Sequence, residues 1–136
     1  MDHLSRDKRS ENMSRIGGKD TKPEIRVRKT LHASGFRYRL HVRKLPGCPD
    51  IVLPKYKLAI LVHGCFWHRH ENCQRATNPK SNTTFWTNKF AATVERDIRN
   101  RKQLAELGWK VVILWECEVS DGTIVVQRVR SAIEDT

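Results

Sequence analysis

The reading of the fold turns on Asp50–Gly64, DIVLPKYKLAILVHG. A carboxylate opens a short apolar run, Pro54-Lys55-Tyr56 interrupts it, and a second apolar run ends on His63 and Gly64. Runs this short, bounded by proline and glycine, suit strands rather than helices. The sequence therefore predicts a short strand over Asp50–Leu53 and a buried one over Leu58–His63. A three-residue turn makes them antiparallel neighbours, which brings Asp50 and His63 towards one end of a hairpin.

Working outward, Phe36–Val42 (FRYRLHV) alternates. Phe36, Tyr38, Leu40 and Val42 share one side; Arg37, Arg39 and His41 share the other, as a half-exposed strand requires. Before it, Thr21 and Glu24 in TKPE form a capping box and Pro23 suits a first helical turn, so a helix is expected over Lys22–Ser34, stopped by Gly35. Downstream, Thr87–Leu107 reads as a helix closed by Gly108, with Phe90, Val94, Ile98 and Leu104 as its apolar stripe. WKVVILW, Trp109–Trp115, reads as a buried strand. Ser120 or Asp121 then caps a last helix carrying Ile124, Val125, Val129 and Ile133. The order implies an α/β fold, a small mixed β-sheet flanked by helices, as one domain over residues 21–136. Residues 1–20 form a basic segment without a steady apolar period, expected to become ordered on DNA.

Across 136 residues, 38% hydrophobic and 30% charged is ordinary for a globular chain. The charge balance is not. Lys and Arg total 26 against 15 acidic residues, a formal net charge of +11. Such an excess on a small domain points to a polyanion, nucleic acid above all. Leu58–Val62, the longest apolar run, is too short to span a bilayer. With no apolar signal segment near Met1, the four cysteines are expected in a reducing compartment, the cytoplasm or nucleoid, where thiols bind metal instead of pairing.

His63–Cys73, HGCFWHRHENC, concentrates the chemistry. Cys65, Cys73 and Cys117 supply three thiolates and either His68 or His70 a fourth ligand, the set a structural zinc site takes. Such a site contributes on the order of 10 kcal/mol of apparent binding energy, enough to stiffen an irregular loop. The bland alternative is unrelated buried thiols; Cys48, outside the cluster, reads as packing. A zinc ion closed by four protein ligands has no open position for water. If the loop does chemistry, His63 and the remaining histidine must carry it with a second metal ion. Phosphodiester hydrolysis needs acidic ligands for that ion. Asp50 opens a strand, Glu24 sits in the first helix, and Asp97 falls inside the apolar stripe, where a carboxylate needs a partner: a histidine, a metal ion or Arg101. Each also has a plain reading, Asp50 as a turn residue and Glu24 as a capping-box member. Phe66 and Trp67 by themselves read as burial against Trp109 or Trp115.

NMSRIGGKDTKPE (Asn12–Glu24), LPGCPDIVLPKYKLAILVHGCFWHRHENC (Leu45–Cys73), Phe85-Trp86, VERD (Val94–Asp97) and LGWKVVILWEC (Leu107–Cys117) closely resemble the very short patch repair endonucleases. The resemblance runs in order from about residue 8 to residue 117. It implies a restriction-endonuclease-like core of the PD-(D/E)xK type, and a nick 5′ of the thymine in T:G mismatches left by deaminated 5-methylcytosine. It further implies Asp50 as the central Mg²⁺ ligand, with Glu24 and the Val62 carbonyl completing that site. His63 and His68 flank the scissile phosphate, and Asp97 pairs with His68. Cys65, His70, Cys73 and Cys117 hold a structural Zn²⁺; Phe66, Trp67 and Trp86 enter the base stack; Asn12 and Met13 reach the opposite groove. The partners implied are double-stranded DNA and MutL-type repair proteins, with the enzyme acting as a monomer. Two departures stand out. The third strand lacks Glu-x-Lys, a loss the repair family shares, and Val62 stands where the family usually has threonine.

Two rival readings follow from the residues. A zinc-stabilised DNA-binding module would share the charge and the thiols but need no Asp50. A zinc nucleobase deaminase would need H-x-E and P-C-x-x-C, and neither occurs.

Overall fold

The computed structural model describes residues 21–134. The basic segment over residues 1–20, with Asn12 and Met13, lies outside the described residues. Helix α1 (Lys22–Ala33) begins as the capping box requires: the Thr21 hydroxyl accepts from the Glu24 N–H, Pro23 occupies the first turn, and Gly35 follows the end at φ +87°. Strands β1 (Arg39–Leu40), β2 (Ile51–Leu53) and β3 (Leu58–His63) form an antiparallel meander, with a 3₁₀ turn over Pro54–Tyr56 between the last two. Helix α2 (Thr83–Glu106) then crosses to β4 (Lys110–Trp115), which pairs parallel to β3, and α3 (Gly122–Glu134) closes the domain. The result is a four-stranded mixed sheet in the order β1-β2-β3-β4.

Helices cover both faces of the sheet, which is why its central strands are apolar almost throughout. On one face Val27 and Leu31 of α1 and Val125 and Val129 of α3 meet Ile51, Leu53, Leu58, Ile60, Val112 and Leu114. On the other, Leu104 of α2 packs with Val52 and Ala59, flanked by Val42, Leu45, Trp109 and Val111. Lys110 reaches under α3 and donates to the Ala132 and Ile133 carbonyls at 3.2 Å each. These are orphan acceptors at a helix C-terminus, where a cation is favoured. Asp121 accepts from the Thr123 N–H at 2.9 Å, the expected cap of α3.

Two expectations need correction. The strand anticipated over Phe36–Val42 shrinks to Arg39–Leu40, because His41 turns left-handed (φ 47°) and ends the ladder. The alternation reported extended backbone with Phe36 and Tyr38 facing the core; it could not report pairing. Helix α2 starts at Thr83 rather than Thr87, and its inward face is not the plain apolar stripe: Ile98 is exposed, while Thr93 and Leu104 are buried. A helix that serves a site as well as a core spends inward positions on polar groups.

Candidate active site

The carboxy-terminal end of β3 delivers His63 to a buried position, and the irregular loop beyond it returns His68 over the same spot. The two imidazole rings stack with centroids 3.8 Å apart and planes 8° from parallel. His68 Nδ1 lies 2.6 Å from Asp97 Oδ2 on α2. An ionised carboxylate can only accept, so Nδ1–H donates and His68 Nε2 becomes the nitrogen available for proton transfer. Asp97 thus finds a histidine partner, not Arg101, among the alternatives its position left open. Burial, reinforced by the adjacent His68, pushes the His63 pKa down to about 4, so His63 is neutral at neutral pH.

Beside this group, Asp50 Oδ2 accepts from the Val62 N–H at 2.8 Å. Burial raises the Asp50 carboxyl to about 6, against the lowering influence of that hydrogen bond; nearby Glu24 pushes it further up, and His41 and His68 draw it down. Ligand atoms of Glu24, His41 and Asp50 all lie within 4.8 Å of one another. Arg28, one turn along α1, donates to Glu24 Oε2 at 3.3 Å and stands 3.2 Å from His41 Nε2. His41 is the member that sequence reasoning missed: its place in the alternating run put it on the solvent face. The left-handed backbone there turns it inward, and its N–H donates to the Asp50 carbonyl at 3.1 Å. A histidine closing a strand nine residues before the carboxylate was the available signal. Val62 packs its side chain against the core, so its main chain is what adjoins Asp50.

A third group gathers Cys65, His70, Cys73 and Cys117, again with ligand atoms within 4.8 Å. His70 lies flat on Trp115, centroids 4.1 Å apart, with Nδ1 3.5 Å from Cys117 Sγ. Burial pushes the Cys65 thiol up to about 12. An isolated thiolate is therefore penalised there, and a soft cation reverses that penalty. Of the two histidines left open as the fourth ligand, the fold brings His70 to the thiols and sends His68 to Asp97. Cys48 is exposed rather than packed, in a left-handed turn at φ 45°.

Phe66 and Trp67 meet neither Trp109 nor Trp115. Phe66 sits edge-on to Trp67, Trp86 and Phe90 at centroid distances of 5.2–5.6 Å, so loop and α2 share one aromatic cluster. Trp67 is 43% exposed and Phe85, against Trp86, 60% exposed. The exposed edges of Trp67 and Phe85 leave an aromatic surface beside the buried titratable groups.

Residues 1–75 match the family profile described as DNA mismatch endonuclease Vsr. The chain belongs to that family. It is 44% identical over 109 residues to the DNA mismatch endonuclease Vsr of Escherichia coli K12, covering 80% of this chain and 69% of that one. It is also 44% identical over 134 residues to the type II nicking enzyme V.NmeAIP of Neisseria meningitidis serogroup A, covering 98% and 95% of the two chains. The type II nicking enzyme V.XorIIP of Xanthomonas oryzae is 43% identical over 133 residues, 98% of this chain and 97% of that protein. As a Vsr-family protein this is an endodeoxyribonuclease of mismatch repair, and its substrate is DNA. The non-catalytic module is thereby set aside. No helix among the described residues is long and apolar enough to cross a membrane.

Proposed function

We propose that this Vsr-family endonuclease nicks duplex DNA 5′ of the thymine in T:G mismatches left by deaminated 5-methylcytosine, on a restriction-endonuclease-like core. The observation that carries the catalytic part is His68, fixed by Asp97 at 2.6 Å and stacked on His63, beside Asp50. Glu24, Asp50 and the Val62 carbonyl would hold Mg²⁺. Glu24 and Asp50 fit a hard divalent ion, two carboxylates in a confined space beside His41, one of them penalised by burial until a cation arrives. When bound, that ion supplies Lewis-acid stabilisation of charge on the phosphate. The remaining chemistry belongs to the protein. Asp97 orients His68 and stabilises its imidazolium, so His68 Nε2 can pass a proton at the scissile phosphate. His63, kept neutral, adds a hydrogen bond there without opposing the charge on His68.

Cys65, His70, Cys73 and Cys117 would hold Zn²⁺, a fit that rests on three thiolates and an imidazole at tetrahedral reach. Its part is to keep the loop rigid. Phe66, Trp67 and Trp86 enter the stack where the mismatch has already weakened it, and Lys and Arg on phosphates give salt-sensitive affinity. Asn12 and Met13 complete the grip from the opposite groove. The enzyme acts as a cytoplasmic, nucleoid-associated monomer, with MutL-type proteins as partners.

The direct test is incubation with Mg²⁺ and a panel of T:G and matched duplexes in several sequence contexts. A single nick 5′ of the mismatched thymine is expected; cleavage indifferent to the mismatch in every context counts against the proposal. Asp97→Asn is expected to slow single-turnover nicking about 100-fold or more while DNA affinity stays level, because His68 loses its tautomer and orientation. A drop under threefold would mean that the short contact is structural only.

A further inference from the structure

We propose that Arg69 is a positioning residue for mismatch opening, holding the Phe66–Trp67 turn at a fixed angle to helix α2. The inference rests on the reading that these aromatics enter the base stack. Arg69 sits between His68 and His70 in a left-handed conformation, φ 53°. Nη1 donates to the Thr77 carbonyl at 2.8 Å and, more weakly, to the Phe66 carbonyl at 3.4 Å. Nη2 donates to the Ala76 carbonyl at 3.2 Å and to Asn78 Oδ1 at 2.7 Å. The guanidinium carbon also lies 4.1 Å from the Phe90 ring centroid and 5.8 Å from that of Phe66.

One planar cation therefore touches three pieces of chain. They are the turn carrying Phe66 and Trp67, the irregular return over residues 76–78, and α2, which carries Trp86 and Phe90. All four hydrogen-bond acceptors are uncharged carbonyl or amide oxygens, so these bonds fix geometry and neutralise nothing. The metal-ligating cluster anchors the loop at Cys65, His70 and Cys73, which leaves Phe66 and Trp67 between anchors. Arg69 braces that interval. A wedge that must pry open a base step delivers its binding energy only if it does not give way, so ordering it in advance lowers the cost of opening. The fork of donors and the flat face on Phe90 are properties of arginine. Lysine, a point charge with three donors and no plane, cannot reproduce them.

The test compares Arg69→Ala, Arg69→Lys and Trp67→Ala with the unaltered protein. The probe is a T:G duplex carrying 2-aminopurine beside the mismatch, with Ca²⁺ in place of Mg²⁺ to hold off cleavage. Single-turnover nicking in Mg²⁺ is measured alongside. Both Arg69 variants are expected to keep bound metal and affinity for matched duplex and to melt cooperatively, a few degrees below the parent. They should lose most of the 2-aminopurine fluorescence rise and nick the T:G duplex about tenfold more slowly or worse. A duplex already unstacked by an abasic site next to the mismatch should restore their rate to within about threefold of the parent's. Trp67→Ala should lose the fluorescence rise as well. If it does not, the base-stack reading itself fails. If Trp67→Ala loses the rise and Arg69→Ala keeps it, only the role given to Arg69 fails. A rate defect that persists on the abasic duplex, or that comes with lost metal or loss of a cooperative melt, also overturns that role in favour of a folding one.

Discussion

Asp50→Asn is expected to abolish nicking, by about 1,000-fold or more, and at the same time to make the divalent-free protein more stable at neutral pH. The first effect follows if Asp50 is the central ligand of the catalytic ion, since stabilisation of the phosphate's charge supplies several kcal/mol and about 1.4 kcal/mol is tenfold in rate. The second follows from burial. The Asp50 carboxyl is raised from 3.8 to about 6 in the folded chain. Because the folded-state pKa lies above the unfolded one, the native state holds the proton longer. The contribution of Asp50 to stability is therefore full below about pH 4 and is lost as pH rises through 6. Asparagine carries no charge to bury, and its Oδ1 can still accept from the Val62 N–H. The variant should gain about 1–2 kcal/mol above pH 6, after discounting for residual solvent, and nothing near pH 4. His63 has the opposite sign. Its pKa is depressed to about 4, so it contributes stability above pH 6.5 that is lost as pH falls towards 4. Comparing variant and parent at each pH isolates Asp50 from this background. Urea melts in a magnesium-selective chelator at pH 4 and 7.5 read the stability, and anisotropy with a T:G duplex should show binding retained. Nicking within tenfold of the parent, or equal stability at pH 7.5, would remove Asp50 from the centre of the site.

Cys117→Ser is expected to act on the fold rather than the chemistry. Cys117 lies just beyond β4, while Cys65, His70 and Cys73 belong to the loop after β3, so the cluster fastens an irregular loop to the end of a core strand. A structural Zn²⁺ site carries about 10 kcal/mol of apparent binding energy, comparable with the whole stability of a domain. Serine offers no soft ligand. The variant should lose nearly all tightly bound metal and melt at least about 20 °C lower, since each kcal/mol lost is worth about 2–4 °C or more in a chain of this size. It should lose both nicking and mismatch preference, because the same loop carries His68 and the Phe66–Trp67 ridge. Elemental analysis of the parent should find one zinc per chain. Metal-free parent protein with an unchanged melting temperature would show that the thiols merely pack.

These two experiments probe what the chain wrote most clearly. Ile51–Leu53 and Leu58–His63 were legible because short apolar runs between proline and glycine have few other uses, and the capping box of α1 was legible because it is local chemistry within four residues. The soft-ligand cluster could be read from residue types alone, though not its fourth member. The length of β1 could not be read. Alternation records which way side chains point, whereas a strand extends only as far as its register with a neighbour, and here that register covers Arg39 and Leu40. The inward face of α2 was misread for a related reason. A hydrophobic stripe assumes that packing alone selects residues, and here Ile98 is exposed and Thr93 buried, whereas the inward place of Asp97 was legible and a histidine does meet it.

By itself, then, the sequence determined an α/β order of elements, a basic partner-seeking surface and three thiols with spare histidines, all properties of residue type and short-range spacing. Tertiary structure placed each histidine, as the family resemblance had implied and residue type alone had not. His68 and His70 differ by two positions in an irregular loop, and the left-handed turn at Arg69 between them leaves one on Asp97 and the other on Trp115 and Cys117. Tertiary structure also brought His41 to Glu24 and Asp50 across three separate elements. Such placements depend on where distant segments meet; residue spacing does not carry them, and of the three the family resemblance anticipated His68 and His70 but not His41.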